Sequence, residues 1–258
     1  MDNSRPLILL TNDDGVQAKG INELVKILSP SYDILVMAPN GARSGTACGI
    51  TAHDPLWFKV ISETANVKIC ECSGTPVDCV KLALEVFTAR RPDLIVSGIN
   101  HGDNASVSVH YSGTMGAVME GCMKGVPSIG FSLADFDADA DFSATANHVS
   151  EIVRKVLDTG LPQGVCLNVN FPQNKGMGYV GAKVCRMGQG AWTNEWYAAE
   201  HPKGQRYYWL VGKFTNTEPH MSDTDTWALE NNYVAITPIQ VDMTAYHVLD
   251  KIKHFEHL

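Results

Sequence analysis

Two adjacent carboxylates, Asp13 and Asp14, stand where an apolar strand pattern ends, in Leu9-Leu10-Thr11-Asn12-Asp13-Asp14-Gly15. Aspartate is unfavourable inside a strand because its short side chain competes for nearby backbone hydrogen bonds. Side by side, two of them also repel unless something positive lies between them. The pair reads either as a hard-cation site at the carboxyl end of a first β-strand, or as a polar loop in which one aspartate caps the following helix. Ser44-Gly45, Gly74-Thr75 and Ser97-Gly98-Ile99-Asn100 then follow three further apolar runs. Strand ends of an open parallel sheet share one edge, so these polar insertions fall on one rim. Asp13, Asp14, Ser44 and Asn100 offer oxygen donors only, which suits a single magnesium or manganese ion rather than zinc. Two carboxylates balance such a charge, and the neutral Ser44 and Asn100 leave the ion its pull on a phosphate or a water.

A second group could hold an anion. Tyr111-Ser112-Gly113-Thr114-Met115-Gly116 opens a helix pattern, and small residues there leave backbone N–H groups free for phosphate. The plainer reading of Ser112 or Thr114 is an N-cap. Gly45 is either a turn glycine or a point of close backbone approach to ligand. Arg43 steadies an anion or is solvated. His53, His101 and His110 lack metal-ligand spacing and read as surface or packed imidazoles, with His101 or His110 available as an acid. Asp223 and Asp225 fit a helix cap or a loop. The Asp135–Asp141 stretch reads as a solvated acidic loop, lacking the glycine and distal glutamate of a calcium loop. Absent from the sequence are a P-loop, a G-x-S-x-G elbow, an Asp-x-Asp after the first strand and a G-x-G-x-x-G fingerprint, since Gly176-Met177-Gly178-Tyr179-Val180-Gly181 has that spacing but leads into a strand pattern rather than opening a helix.

The elements that must position these groups alternate. Strand patterns fall at Leu7–Thr11, Ile34–Ala38, Val67–Cys72, Leu94–Ser97, Ser128–Ser132 and Val165–Phe171, with Thr51–Ser62 extended. Helical patterns fall at Ile21–Leu28, Val77–Phe87, Met115–Met123 and Ala144–Leu157. This predicts an α/β, Rossmann-like fold with a mostly parallel sheet and helices on both faces. Thr75, Pro76 and Asp78 mark one helix start, as N-cap, first position and dipole-facing acid. From Gly176 the character changes. Tyr179–Arg186 and Tyr207–Phe214 read as arms of a hairpin extension, Tyr233–Thr237 as a last strand ending at Pro238. Met243, Tyr246, Val248, Leu249, Ile252 and Phe255 form a terminal amphipathic helix that needs a partner surface. The expected organisation is one domain over residues 1–258, with an α/β core to residue 175 and the extension beyond it.

Composition narrows the function. At 258 residues the chain can bury a real core, and its formal net charge of −8 argues against a nucleic-acid duplex as partner. No apolar run reaches about eighteen residues, so no membrane partner is expected. The start of the chain lacks the charged and apolar regions of a secretory signal. The seven cysteines form no pair of C-x-x-C motifs, so the expected compartment is a reducing cytoplasm.

The motifs together resemble the SurE family of metal-dependent 5′/3′-nucleotidases. They are Thr11-Asn12-Asp13-Asp14-Gly15, Ala38-Pro39 with Ser44-Gly45, Gly74-Thr75-Pro76-Val77-Asp78-Cys79-Val80 and Pro92–Asn100. Tyr111–Thr114 through Met119-Glu120-Gly121, Leu167-Asn168-Val169-Asn170, Asp223-Thr224-Asp225 and Tyr233–Pro238 continue the likeness in order. The resemblance implies that Asp13, Asp14, Ser44 and Asn100 hold one divalent ion per subunit, with Asp13 and Asp14 catalytic. Gly45, Asn104, Ser112, Gly113 and Thr114 are the expected phosphate contacts. It further implies phosphate release from nucleoside 5′- and 3′-monophosphates, extending to short polyphosphate, and assembly into homodimers or homotetramers through the hairpin and an exchanged terminal segment. A nucleotide-binding module without turnover is the alternative. Asn40, Asp103 and Asn232 depart from the family pattern, and Asp103 adds negative charge near the rim.

Overall fold

The computed structural model describes residues 5–87, 90–173 and 176–257. Its strands, in chain order, are β1 (Leu7–Thr11), β2 (Asp33–Pro39), β3 (Phe58–Glu63), β4 (Val67–Cys72), β5 (Leu94–His101), β6 (Ser128–Leu133), β7 (Val165–Phe171), β8 (Gly181–Val184), β9 (Gly190–Thr193), β10 (Trp196–Glu200), β11 (Arg206–Leu210), β12 (Lys213–Asn216) and β13 (Tyr233–Gln240). Nine of the described strands form one sheet, ordered β3-β4-β2-β1-β5-β6-β7-β13-β8. From β4 through β7 the neighbours run parallel; β3 and β13 join antiparallel, and β8 lies parallel to β13.

Strand β1 is buried at every position, as a parallel strand covered on both faces must be. Ile8 and Leu10 meet helices α1 (Lys19–Leu28) and α4 (Ala146–Thr159) through Ile21, Leu24, Val149 and Val153. Leu7 and Leu9 point the other way, toward Cys79, Val80 and Ala117 of α2 (Pro76–Leu82) and α3 (Gly113–Met123). The α/β reading of the sequence, with helices on both faces, is thus the fold observed. The chain leaves β1 for β2 and β4 on one side, then crosses to β5 on the other. That reversal opens a crevice between the carboxyl ends of β1 and β5.

Several elements differ in extent from the sequence reading. Thr75 caps α2 with a complete capping box closed by Asp78, but the helix passes into a π-helical turn over Ala83–Phe87. Strand β5 runs on past Ser97 because its register against β6 shifts between Ser97 and Asn100, which keeps Asn100 and His101 in the sheet. The run around Tyr179–Arg186 is no hairpin arm: β8 completes the main sheet beside β13. Strand β13 continues through Pro238, since β8 pairs only as far as Ile236 and the missing N–H falls where that flank is unpaired.

The extension is a two-stranded antiparallel arm. Strands β9 and β12 form its root and β10 and β11 its outer part, with Tyr207–Phe214 broken in two at Val211-Gly212. Helix α5 (Asp225–Glu230) follows, capped by Thr224. The terminal segment is 3₁₀, over Tyr246–Val248 and Asp250–His257, rather than an α-helix. Met243, Tyr246, Leu249, Ile252 and Phe255 are all exposed there. Asn232 adopts the left-handed conformation, with φ of 61°, that asparagine tolerates well. No helix among the described residues is long and apolar enough to cross a membrane.

Candidate active site

Asp13 and Asp14 lie in the loop leaving β1, braced by Asn12. The buried Asn12 amide donates to the Gly15 carbonyl and its oxygen accepts from the Gly15 N–H. The Arg43 N–H donates to the Asp13 carbonyl at 2.6 Å, tying this loop to the one that carries Ser44. At β5 the Asn100 amide nitrogen donates to the carbonyls of Gly102 and His101, at 2.8 and 3.3 Å. That commits the nitrogen and leaves the side-chain oxygen available to a ligand. A Cβ on Gly98 would stand 2.2 Å from the Phe131 carbonyl oxygen, and its φ is +124°, so the turn of β5 toward the site requires glycine.

Asp13, Asp14, Ser44 and Asn100 line one cleft of about 650 Å³. Asp13 is 4 % exposed, and one of its oxygens accepts from the Thr114 hydroxyl. Burial pushes its carboxyl up to about 6 against the opposing Thr114 hydrogen bond, and the neighbouring Asp14 charge adds to the rise. Asp14 is likewise raised by burial, although the His101 backbone N–H donates to it at 3.2 Å. Each carboxylate therefore keeps a second oxygen for a ligand, and each resists ionisation in the absence of a cation. Among the described residues no three His, Cys, Asp or Glu side chains cluster as a metal site. The donor set is two carboxylates with two neutral oxygens, and a hard divalent cation fits it by charge and by donor type.

The phosphate candidates separate. Gly45, Asn104 and Ser112 line the cleft with the four proposed ligands. Gly113 and Thr114 lie buried behind Asp13 instead: Thr114 holds the carboxylate, and a Cβ on Gly113 would stand 2.8 Å from the Asp13 Cβ. The Ser112 hydroxyl accepts from the Met115 N–H as the N-cap of α3, the plainer of its two readings. Asn104 is locked into a buried polar network, its amide donating to Ser132 and its backbone N–H to Asn170.

His101 lines the cleft, its Nδ1 donating to the Asp137 carbonyl at 2.9 Å, whereas His53 and His110 are exposed and lie outside its lining. Arg43 is spent on the Ser73 carbonyl at 3.0 Å and on Asn40. Asp225 is fully buried and accepts from the backbone N–H groups of Ser106 and Gly188, joining the arm's root to the site loop. Asp223 pairs with Arg186. The acidic loop satisfies its carboxylates locally: Asp135 and Asp137 accept from backbone N–H groups two residues on. Asp103 also lines the cleft, its carboxyl raised by burial.

Sequence reasoning missed the far wall. Trp192, Glu195, Leu210, Val211 and Gly212 of the arm close the cleft opposite Asp13 and Asp14. No local pattern pairs these residues with strand ends roughly ninety to two hundred positions earlier.

Comparison with known proteins places this geometry. Residues 8–194 match the family described as Survival protein SurE. The chain belongs to the SurE family. The 5′-nucleotidase SurE of Phocaeicola vulgatus is 51 % identical over 99 % of this chain and 98 % of that one. The 5′-nucleotidase SurE of Bacteroides fragilis is 49 % identical over 99 % of this chain and all of that one. The crystal structure of the SurE protein from Aquifex aeolicus superposes with a TM-score of 0.84 at 36 % identity, covering 97 % of this chain and 100 % of that one. The sequence resemblance to SurE thus extends to fold and length.

Proposed function

We propose that this SurE-family chain is a divalent-metal-dependent nucleotidase that hydrolyses nucleoside 5′- and 3′-monophosphates, with action extending to short polyphosphate, in the cytoplasm as a homodimer or homotetramer. The observation that carries the reading is that the buried Asp13 and the half-buried Asp14 open with Ser44 and Asn100 onto one cleft. The nucleotidase names of relatives about half identical over their whole length support it.

One magnesium or manganese ion, held by Asp13, Asp14, Ser44 and Asn100, would supply Lewis-acid polarisation and charge neutralisation. Of Asp13 and Asp14, one orients the attacking water or takes up its proton. The start of α3 at Ser112 presents its dipole to charge growing on the phosphoryl oxygens, with Gly45 and Asn104 beside it. His101, as the imidazolium, protonates the departing ribose oxygen from Nε2, while its Nδ1–H stays fixed on the Asp137 carbonyl.

The test is a phosphate-release screen over nucleoside 5′- and 3′-monophosphates with magnesium or manganese, repeated with a chelator and with Asp13→Asn. Release that stops with chelator, returns with metal and falls at least about 10²–10³-fold in the variant supports the reading. Undiminished release by Asp13→Asn with metal supplied would overturn the site assignment. Saturable nucleotide binding without any release would make the chain a binding module.

A further inference from the structure

The cleft has two chemically different ends. Asp13, Asp14 and Asn100 stand at one, and the rings of Trp192 and Phe136 line the same cavity from two other elements. Both rings belong also to an adjoining cavity of about 520 Å³, so the polar floor opens continuously onto an aromatic wall. Trp192 is 37 % exposed and Phe136 76 %, both of them large apolar surfaces left facing the cleft. Neither is loose. The Trp192 indole meets the Phe214 ring edge-on at 6.0 Å, on the neighbouring strand of the arm. The Phe136 ring lies against Gly102, where a Cβ would stand 2.3 Å from its Cε1 atom. Exposed rings beside a phosphate-directed polar floor offer a face to a flat heterocycle tethered to that phosphate.

We propose that Trp192 and Phe136 form the nucleobase subsite, with the base stacking on the arm's indole while the phosphate reaches Asp13, Asp14 and Asn100. The inference rests on the nucleotidase reading for the identity of the ligand. Stacking is tolerant of base identity because every base has a π face, so the subsite selects nucleotides over other phosphomonoesters without choosing among bases. The arm is then part of the substrate site as well as an extension from the fold.

The test compares AMP with ribose 5-phosphate, which carries the same sugar and phosphate without the base. In the unaltered protein kcat/KM favours AMP. In Trp192→Ala the ratio of AMP to ribose 5-phosphate falls roughly tenfold, the scale of one lost base–aromatic stack, and Trp192→Phe restores most of it. Phe136→Ala lowers the same ratio from a different element, which separates lost stacking from a loosened arm. An unchanged ratio in both alanine variants overturns the subsite. If the unaltered protein releases phosphate from neither compound, the nucleotidase reading falls. Calorimetric affinities for the same two compounds then decide the subsite: tighter AMP binding that Trp192→Ala abolishes upholds it, and equal affinities overturn it.

Discussion

The Thr114 hydroxyl donates to the Asp13 carboxylate, linking the first turn of α3 to the loop after β1. Two residues a hundred positions apart thereby set the direction of one proposed metal ligand. Thr114→Val keeps the shape and removes the donor. Metal affinity, measured calorimetrically with manganese, is expected to fall about 10–100-fold, as when other partners of metal ligands are lost. Thr114→Ser should recover most of it. Unchanged manganese affinity in Thr114→Val would show that burial alone orients Asp13.

Gly113 is the second contact on the same carboxylate. A Cβ there would meet the Asp13 Cβ at 2.8 Å and the Thr46 hydroxyl at 2.9 Å. Helix propensity favours alanine over glycine by up to about 1 kcal/mol, so an exposed helix would gain from the change. Here the clash decides. Gly113→Ala is expected to keep its circular dichroism spectrum while losing manganese affinity and turnover together by about 10–100-fold.

These contacts explain why part of the site was readable in the sequence and part was not. Parallel strands bring their carboxyl ends to one edge, so Asp13, Asp14, Ser44 and Asn100 could be placed together from strand order alone. The role of Gly113 and Thr114 depends on which side of α3 meets β1, and both a phosphate cradle and a packing contact use the same small residues. Ser112 satisfied the N-cap pattern and also reached the cleft, so the two readings of that position coexist. Trp192 stands on an arm whose root is tied to the site loop by Asp225, which holds the Ser106 and Gly188 backbones, and by the Ser106 hydroxyl on the Gly188 carbonyl, long-range bonds without local signature. Strand β8 carries apolar and polar residues as a hairpin arm would, and only its pairing with β13 distinguishes a sheet edge.

The outer arm leaves Tyr197 and Trp209 paired across strands and both more than half exposed on one face, with Trp196, Tyr208 and Leu210 exposed on the other. An exposed patch of this kind marks an interface. The expected occupant is a second copy of the chain. Light scattering at micromolar concentration should give a dimer or tetramer, and Tyr197→Ser with Trp209→Ser should shift it toward smaller species. A monomer throughout would leave the arm without that role.

Asp78 ties the Ser44 loop to α2. Its carboxylate accepts from the Thr51 hydroxyl at 2.6 Å, the Thr51 N–H at 3.1 Å and the Thr75 N–H at 2.9 Å. Burial alone would raise its pKa, but these hydrogen bonds more than offset that and hold it below the ordinary carboxylate value of 3.8. A depressed folded-state value means stabilisation that is complete above the unfolded pKa of about 3.9 and is lost as pH falls through the lower folded value. Asp78→Asn should therefore melt several degrees lower at pH 7, at about 2–4 °C per kcal/mol for a chain of this size. The gap between variant and unaltered protein should narrow only below about pH 4. A gap that closes already between pH 7 and 5 would assign the effect to another group. Turnover should fall with it, because Thr75 also holds the Gly49 carbonyl at 2.8 Å and both bonds hold the loop that carries Ser44 into the cleft.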